Sequence, residues 1–140
     1  MGAPTVPTSG FQEEPPPRWV SIAPGMQMRP LVEGSGTLMF LYRIEAGTQI
    51  TEHRHSYPAL GVVLSGEGFL VLDGEQRGIR AGDSYYMPPN VSHGFAMPPR
   101  GEPVVLVDVS SGLDQLEERL TVESILELAR SVARRDAPLV

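Results

Sequence analysis

A chain of 140 residues with 41% hydrophobic and 20% charged side chains describes one ordinary globular domain, large enough for a single core. The formal net charge is −6 and all 11 basic residues are arginine, so no basic footprint for nucleic acid is present and none is expected as a partner. Cysteine is absent, which excludes thiolate ligands, thiol nucleophiles and disulfides, and no apolar run approaches a membrane span or a secretory hydrophobic stretch; a cytoplasmic protein without a membrane partner is expected.

Residues 1–18 are rich in Pro, Thr and Glu and end in Pro15-Pro16-Pro17-Arg18, a composition suited to an extended arm with too little apolar surface to order itself. From Trp19 the pattern changes to short apolar runs. Strands are predicted over Trp19 to Ile22, Met26 to Leu31, Thr37 to Ile44, Ile50 to His55 and Leu60 to Leu64. They continue over Gly68 to Leu72, Gln76 to Ile79, Ser84 to Met87, His93 to Met97 and Val104 to Val109. Turn residues separate them, and Asp73-Gly74 between two apolar runs is a strong hairpin signal. Many short strands with no helix among them indicate an all-β antiparallel sandwich or closed barrel over residues 19–110.

Residues 111–140 switch to helical spacing. Leu113, Leu116 and Leu120 form one stripe, continued by Val122, Ile125, Ala129 and Val132. Thr121 is the expected N-cap; Arg130, Arg134 and Arg135 suit a C-terminal end, and Pro138 marks the stop. This tail is expected to pack on the outside of its own barrel or across a dimer.

The three histidines fall in two glycine-marked stretches. His53 and His55 stand two apart after Gly47, where a strand directs i and i+2 to one face, and His93 closes the stretch from Gly82. Three imidazoles from two strands make a facial donor set with positions left open for water and substrate, the layout of a catalytic metal site. All-imidazole ligation accepts Fe, Mn, Ni or Zn with little discrimination, so one divalent ion of open identity is expected. Alternation places Phe95 and Met97 on the His93 face and Ala59 and Gly61 on the His55 face, the last two small enough to leave room beside an ion. Tyr42, Arg43, Arg54, Tyr57, Tyr85 and Tyr86 are further candidates for substrate contact.

Together the two stretches resemble the cupin superfamily, whose barrel carries two motifs. The first is Gly, five residues, His-x-His, three or four residues, an acid, six residues, Gly; it is matched by Gly47, His53, His55 and Gly66, with Ala59 in the acidic position. The second is Gly, five residues, Pro-x-Gly, two residues, His, three residues, Asn; it is matched by Gly82, Pro88 and His93, with Asn90 and Met97 replacing the glycine and the asparagine. The resemblance spans residues 47–97 and implies a double-stranded β-helix, or jelly-roll, with a metal held by His53, His55 and His93. Pro88 to Gly94 and Leu106 to Val109 also resemble the small cupins that open unsaturated uronates in pectin degradation. That likeness implies an inward-facing Asp108 that moves a proton, while Ala59, Ser110 and Asp114 stand where those cupins have a glutamine ligand, an aromatic and an arginine.

These readings converge on a homodimeric metal-dependent enzyme for a small, oxygen-rich and anionic substrate, working by isomerase, lyase or dioxygenase chemistry. The alternative is a non-catalytic metal- or ligand-binding module whose helical tail signals to a partner.

Overall fold

Ten antiparallel strands and one C-terminal helix account for the described part of the computed structural model, residues 19–117 and 120–133. The expected N-terminal arm, and the helix-end signals at Arg134, Arg135 and Pro138, lie outside the described residues. The strands are β1 (Val20–Ala23), β2 (Met26–Gly34), β3 (Thr37–Ile44), β4 (Gln49–His53) and β5 (Ala59–Ser65). They continue as β6 (Glu67–Leu72), β7 (Glu75–Arg80), β8 (Ser84–Met87), β9 (His93–Ala96) and β10 (Val104–Ser110). Two sheets form the jelly roll, one ordered β1-β2-β3-β10-β5-β8 and the other β4-β9-β6-β7.

Period-two alternation explains the core. In β10 burial alternates along the whole strand, with Val104, Leu106, Asp108 and Ser110 pointing inward between β3 and β5. Phe40 and Ile44 stand beside them on β3, in register with Asp108 and Val104, and Met28 follows on β2, all fully buried. Each such side chain contributes about 1.5–3 kcal/mol by leaving water, and together they oppose the cost of burying the Asp108 carboxyl among them. The Asp73-Gly74 hairpin forms as its sequence predicts: Leu72 pairs Glu75, and both turn residues have φ near +50 and +79°, as a tight two-residue turn matched to sheet twist requires.

The tail departs from its expected form in one way. Leu113, Leu116 and Leu120 do not share one helix: Leu113–Gln115 is a single 3-10 turn entered from a left-handed Gly112 and left through an extended Leu116. Leu113 is instead buried behind the β2–β3 turn, its N–H bonded to the Gly36 carbonyl at 2.9 Å. The helix proper, α1 (Val122–Ala133), begins at the expected cap. Thr121 Oγ1 accepts from the Ser124 N–H at 3.2 Å while Ser124 Oγ accepts from the Thr121 N–H at 2.6 Å, a reciprocal capping box. α1 packs against β1 and β4 of its own barrel, burying Val122, Ile125 and Leu126, and its residues line the same cavity as the histidines.

Candidate metal centre

The end of the barrel beneath α1 opens into a cavity of about 660 Å³, lined by all three histidines, by Asp108, and by residues of the tail. How the sequence brings the imidazoles together is a matter of local backbone. β4 and β9 pair antiparallel, Ile50 with Phe95 and His53 with His93, so that β4 carries one extra residue in the interval. That bulge re-aims the strand and sets His53 directly opposite His93. Gly94 permits it: a Cβ there would run into the Ile50 carbonyl and crowd the Glu52 nitrogen. Glu52 braces the same corner, its Oε1 accepting from the Gly74 N–H at 3.1 Å and the Ser92 hydroxyl at 3.3 Å. His55 lies just beyond the end of β4, and its carbonyl accepts the Asn90 N–H at 2.7 Å, tying the loop to the Pro88–Asn90 turn. Asn90 itself has φ +64°, which explains why asparagine can stand where the resemblance has glycine: it is among the side chains that best tolerate the left-handed region.

Ring geometry then favours one donor set. His53 Nδ1–H donates to the Thr51 carbonyl at 2.7 Å and His93 Nδ1–H to the Val91 carbonyl at 2.9 Å, which leaves the Nε2 lone pair of each ring for a ligand bond. His55 has a backbone hydrogen bond at Tyr57 and stacks flat on the Tyr57 ring, centroids 4.5 Å apart and planes 4° from parallel. The ligand nitrogens of the three rings lie within 4.8 Å of one another, those of His55 and His93 3.2 Å apart. Two metal–nitrogen bonds of about 2.0–2.1 Å, opened by 90–109°, separate their nitrogens by about 2.8–3.4 Å, so the His55–His93 spacing suits a common ion. Among the described residues no carboxylate joins the cluster, and Ala59, 2% exposed, contributes only a methyl group to the cavity wall.

Electrostatics agree with neutral donors. Burial, then the neighbouring imidazoles, lowers the His55 pKa to about 3; burial and His53 lower that of His93 to about 4. Both rings are therefore uncharged at neutral pH. Asp108 moves the other way: burial raises it to about 6, partly countered by the Tyr85 hydroxyl, which donates to Asp108 Oδ2 at 2.7 Å. Burial and the Asp108 charge also push Tyr57 and Tyr85 well above the ordinary phenol value. Tyr42 rises for the same two reasons.

Of the remaining sequence candidates, Ala59 and Phe95 line the cavity, as do Tyr42, Arg54 and Tyr57. Gly61 and Met97 are placed elsewhere. The space above Gly61 is filled by Tyr85: a Cβ on Gly61 would overlap Tyr85 Cζ and Oη, so this glycine admits the phenol that holds Asp108. The Met97 thioether packs over Gly68, which makes room for it, and its backbone N–H donates to the Thr48 carbonyl at 2.9 Å. Arg43 pairs with Glu45 at 3.0 Å, and Tyr86 is 53% exposed on the outer sheet face. What the sequence did not disclose is the contribution of the tail, since nothing in its spacing says which opening it covers.

Comparison with known proteins follows this geometry. Residues 40–110 match the family model described as the cupin domain. In sequence the chain is similar to dimethylsulfoniopropionate lyase DddW of Ruegeria pomeroyi, 27% identical over 107 residues that cover 76% of this chain and 68% of that one. In structure it is similar to an RmlC-like cupin from Shewanella frigidimarina, with a TM-score of 0.66, 24% identity, and coverage of 77% of this chain and 96% of the other. KdgF from Halomonas sp. is equally similar, with a TM-score of 0.65, 24% identity, and coverage of 77% and 98%. At these identities the structural likeness carries the fold.

Proposed function

The chain belongs to the cupin family, and from that premise we propose that it is a metal-dependent enzyme acting on a small anionic molecule. The observation that carries the reading is the convergence of the His53, His55 and His93 ligand nitrogens on one cavity that also holds the buried carboxyl of Asp108. Those three residues would hold one divalent ion, Fe, Mn, Ni or Zn. When bound, it supplies Lewis acidity to the substrate's carbonyl or carboxylate oxygens and so acidifies the adjacent C–H. Three neutral donors leave the site with a full double positive charge, which selects an anion.

Asp108 is the group that removes and returns the proton. With a pKa near 6 it is mostly ionised at neutral pH and close enough to neutrality to release what it takes. Tyr85 occupies Oδ2 and thereby fixes the carboxylate's orientation. Ala59, Phe95, Tyr42 and Tyr57 shape the space around the substrate. Proton removal next to a carbonyl places the reaction among isomerisations or eliminations, and the lyase activity named for the Ruegeria pomeroyi relative supports the second. The test is deuterium exchange by NMR across a panel of keto acids and substituted carboxylates with metal-loaded protein. Exchange at the carbon beside the carbonyl, lost in Asp108→Asn with metal retained, supports the reading; no exchange with any metal and any acid sinks it.

An oxygenase is the second reading, since a three-imidazole donor set also suits Fe(II); oxygen uptake with the Fe(II) form, and none with Zn, separates it from the first. The module reading has less support, because α1 is engaged over the cavity and its apolar face is turned to the site. We place the protein in the cytoplasm as a homodimer. In the described residues no helix is long and apolar enough to cross a membrane. Leu60, Val62, Leu64 and Tyr86 are 36–53% exposed side by side on β5 and β8, an apolar sheet face suited to a second copy. Light scattering of Leu64→Arg beside the parent chain tests that assignment.

A further inference from the structure

The cavity is far larger than its chelating end needs, and the surplus is apolar. A volume of about 660 Å³ is in the range that encloses a drug-sized molecule, whereas a three-carbon acid on the histidines fills a small part of it. Part of the cavity wall comes from the tail. Leu116, Leu120, Ile125, Leu128, Ala129 and Val132 supply it, interrupted by Gln115, Glu117 and Ser131. Leu128 lines this wall yet is 44% exposed, a large aliphatic side chain held in contact with water at the cavity's edge. Each of these features favours a ligand that carries carbon rather than hydroxyl groups against the tail residues. A polyhydroxylated acid of the same length would turn hydroxyls toward aliphatic carbon, at a cost in affinity of on the order of tenfold for each one left unpaired.

Building on the metal reading above, we propose that the substrate is an oxo acid with a medium-length apolar chain: its oxo-carboxylate head at the histidine cluster and Asp108, its tail against the wall formed by Leu116, Leu120 and α1. This replaces the oxygen-rich small molecule expected from the sequence by an amphiphilic one, and it makes the helical tail the element that sets specificity. The chain length follows from the geometry of burial, because every methylene added inside the chamber leaves water while the head stays where it is.

The experiment is calorimetric titration of the Ni(II)-loaded full chain with pyruvate, 2-oxobutanoate, 2-oxohexanoate and 2-oxooctanoate, and with a 2-oxohexanoate analogue hydroxylated along its chain. Affinity is expected to rise by about fourfold per added methylene, and the hydroxylated analogue to bind more weakly than 2-oxohexanoate. Leu128→Ser, at a half-exposed position that the fold tolerates, is expected to flatten this dependence on chain length while the nickel content, read by elemental analysis, is retained. Pyruvate binding with no gain along the series, or preference for the hydroxylated analogue, overturns the amphiphilic assignment and leaves the metal reading intact. Nickel-loaded protein that binds none of the acids likewise overturns the amphiphilic assignment alone, whereas failure to load nickel removes the metal reading and this one with it.

Discussion

Replacing Asp108 by asparagine is the perturbation whose size follows most directly from the structure. The side chain is 2% exposed, and burial raises its pKa from 3.8 to about 6 against the opposing effect of the Tyr85 hydrogen bond. A carboxyl whose folded pKa lies above its unfolded value binds more protons in the folded state between the two. Its contribution to stability is therefore full below about pH 4 and is lost as pH rises through 6. The shift of roughly two pH units corresponds to about 3 kcal/mol in total, of which about 2 kcal/mol falls between pH 4 and pH 7. Asparagine keeps the shape and cannot ionise. Urea denaturation of both proteins across that window isolates the effect, because the lowered histidines, which act with the opposite sign, are common to the two and cancel in the difference. Relative to the variant, the parent chain is predicted to lose about 2 kcal/mol from pH 4 to pH 7. A difference that stays level within about 0.5 kcal/mol would mean that the carboxylate is not strained by burial, and the case for Asp108 as a tuned proton carrier would fail with it.

Two further substitutions probe the support of that carboxylate. Tyr85→Phe removes the donor to Oδ2 and should destabilise the fold by about 1–3 kcal/mol, more at pH 8 than at pH 5 because only the ionised carboxylate loses a charge-assisted bond; equal losses at both pH values would contradict the pairing. Gly61→Ala should resemble Tyr85→Phe in its pH dependence, since a methyl group displaces the phenol, with an overpacking cost of about 1–3 kcal/mol added. Wild-type stability in that variant would show that Tyr85 has other room.

Much of this site is written in spacing that survives without coordinates. His53, His55 and His93 sit at intervals that only a tightly paired β4–β9 corner brings together, and the Asp73-Gly74 turn announces its own hairpin. Inward placement of Asp108 is what the resemblance implies, and the burial alternation of β10 agrees with it. Other features depend on neighbours distant in the chain. Gly61 reads as empty space beside the ion because nothing near it in sequence says that Tyr85 of β8 enters that space. Met97 shares the parity of His93, yet β9 ends at Ala96 and the side chain finds its pocket over Gly68 instead. Leu113, Leu116 and Leu120 have helical spacing for another reason: each is packed against the core on its own, and without a side-chain cap at Gly112 the turn at Leu113–Gln115 ends in an extended Leu116. Thr121 and Ser124 supply that cap for α1, and the helix starts there.

Everything proposed for this chain rests on the imidazole cluster holding an ion. The direct measurement is elemental analysis of tag-free protein after equilibration with first-row divalent metals and exhaustive dialysis, beside His53→Ala and His55→Ala. About one equivalent of metal per chain is predicted for the parent, falling to about a tenth or less in each variant. Parent protein that retains no more metal than the variants would contradict the account at its centre.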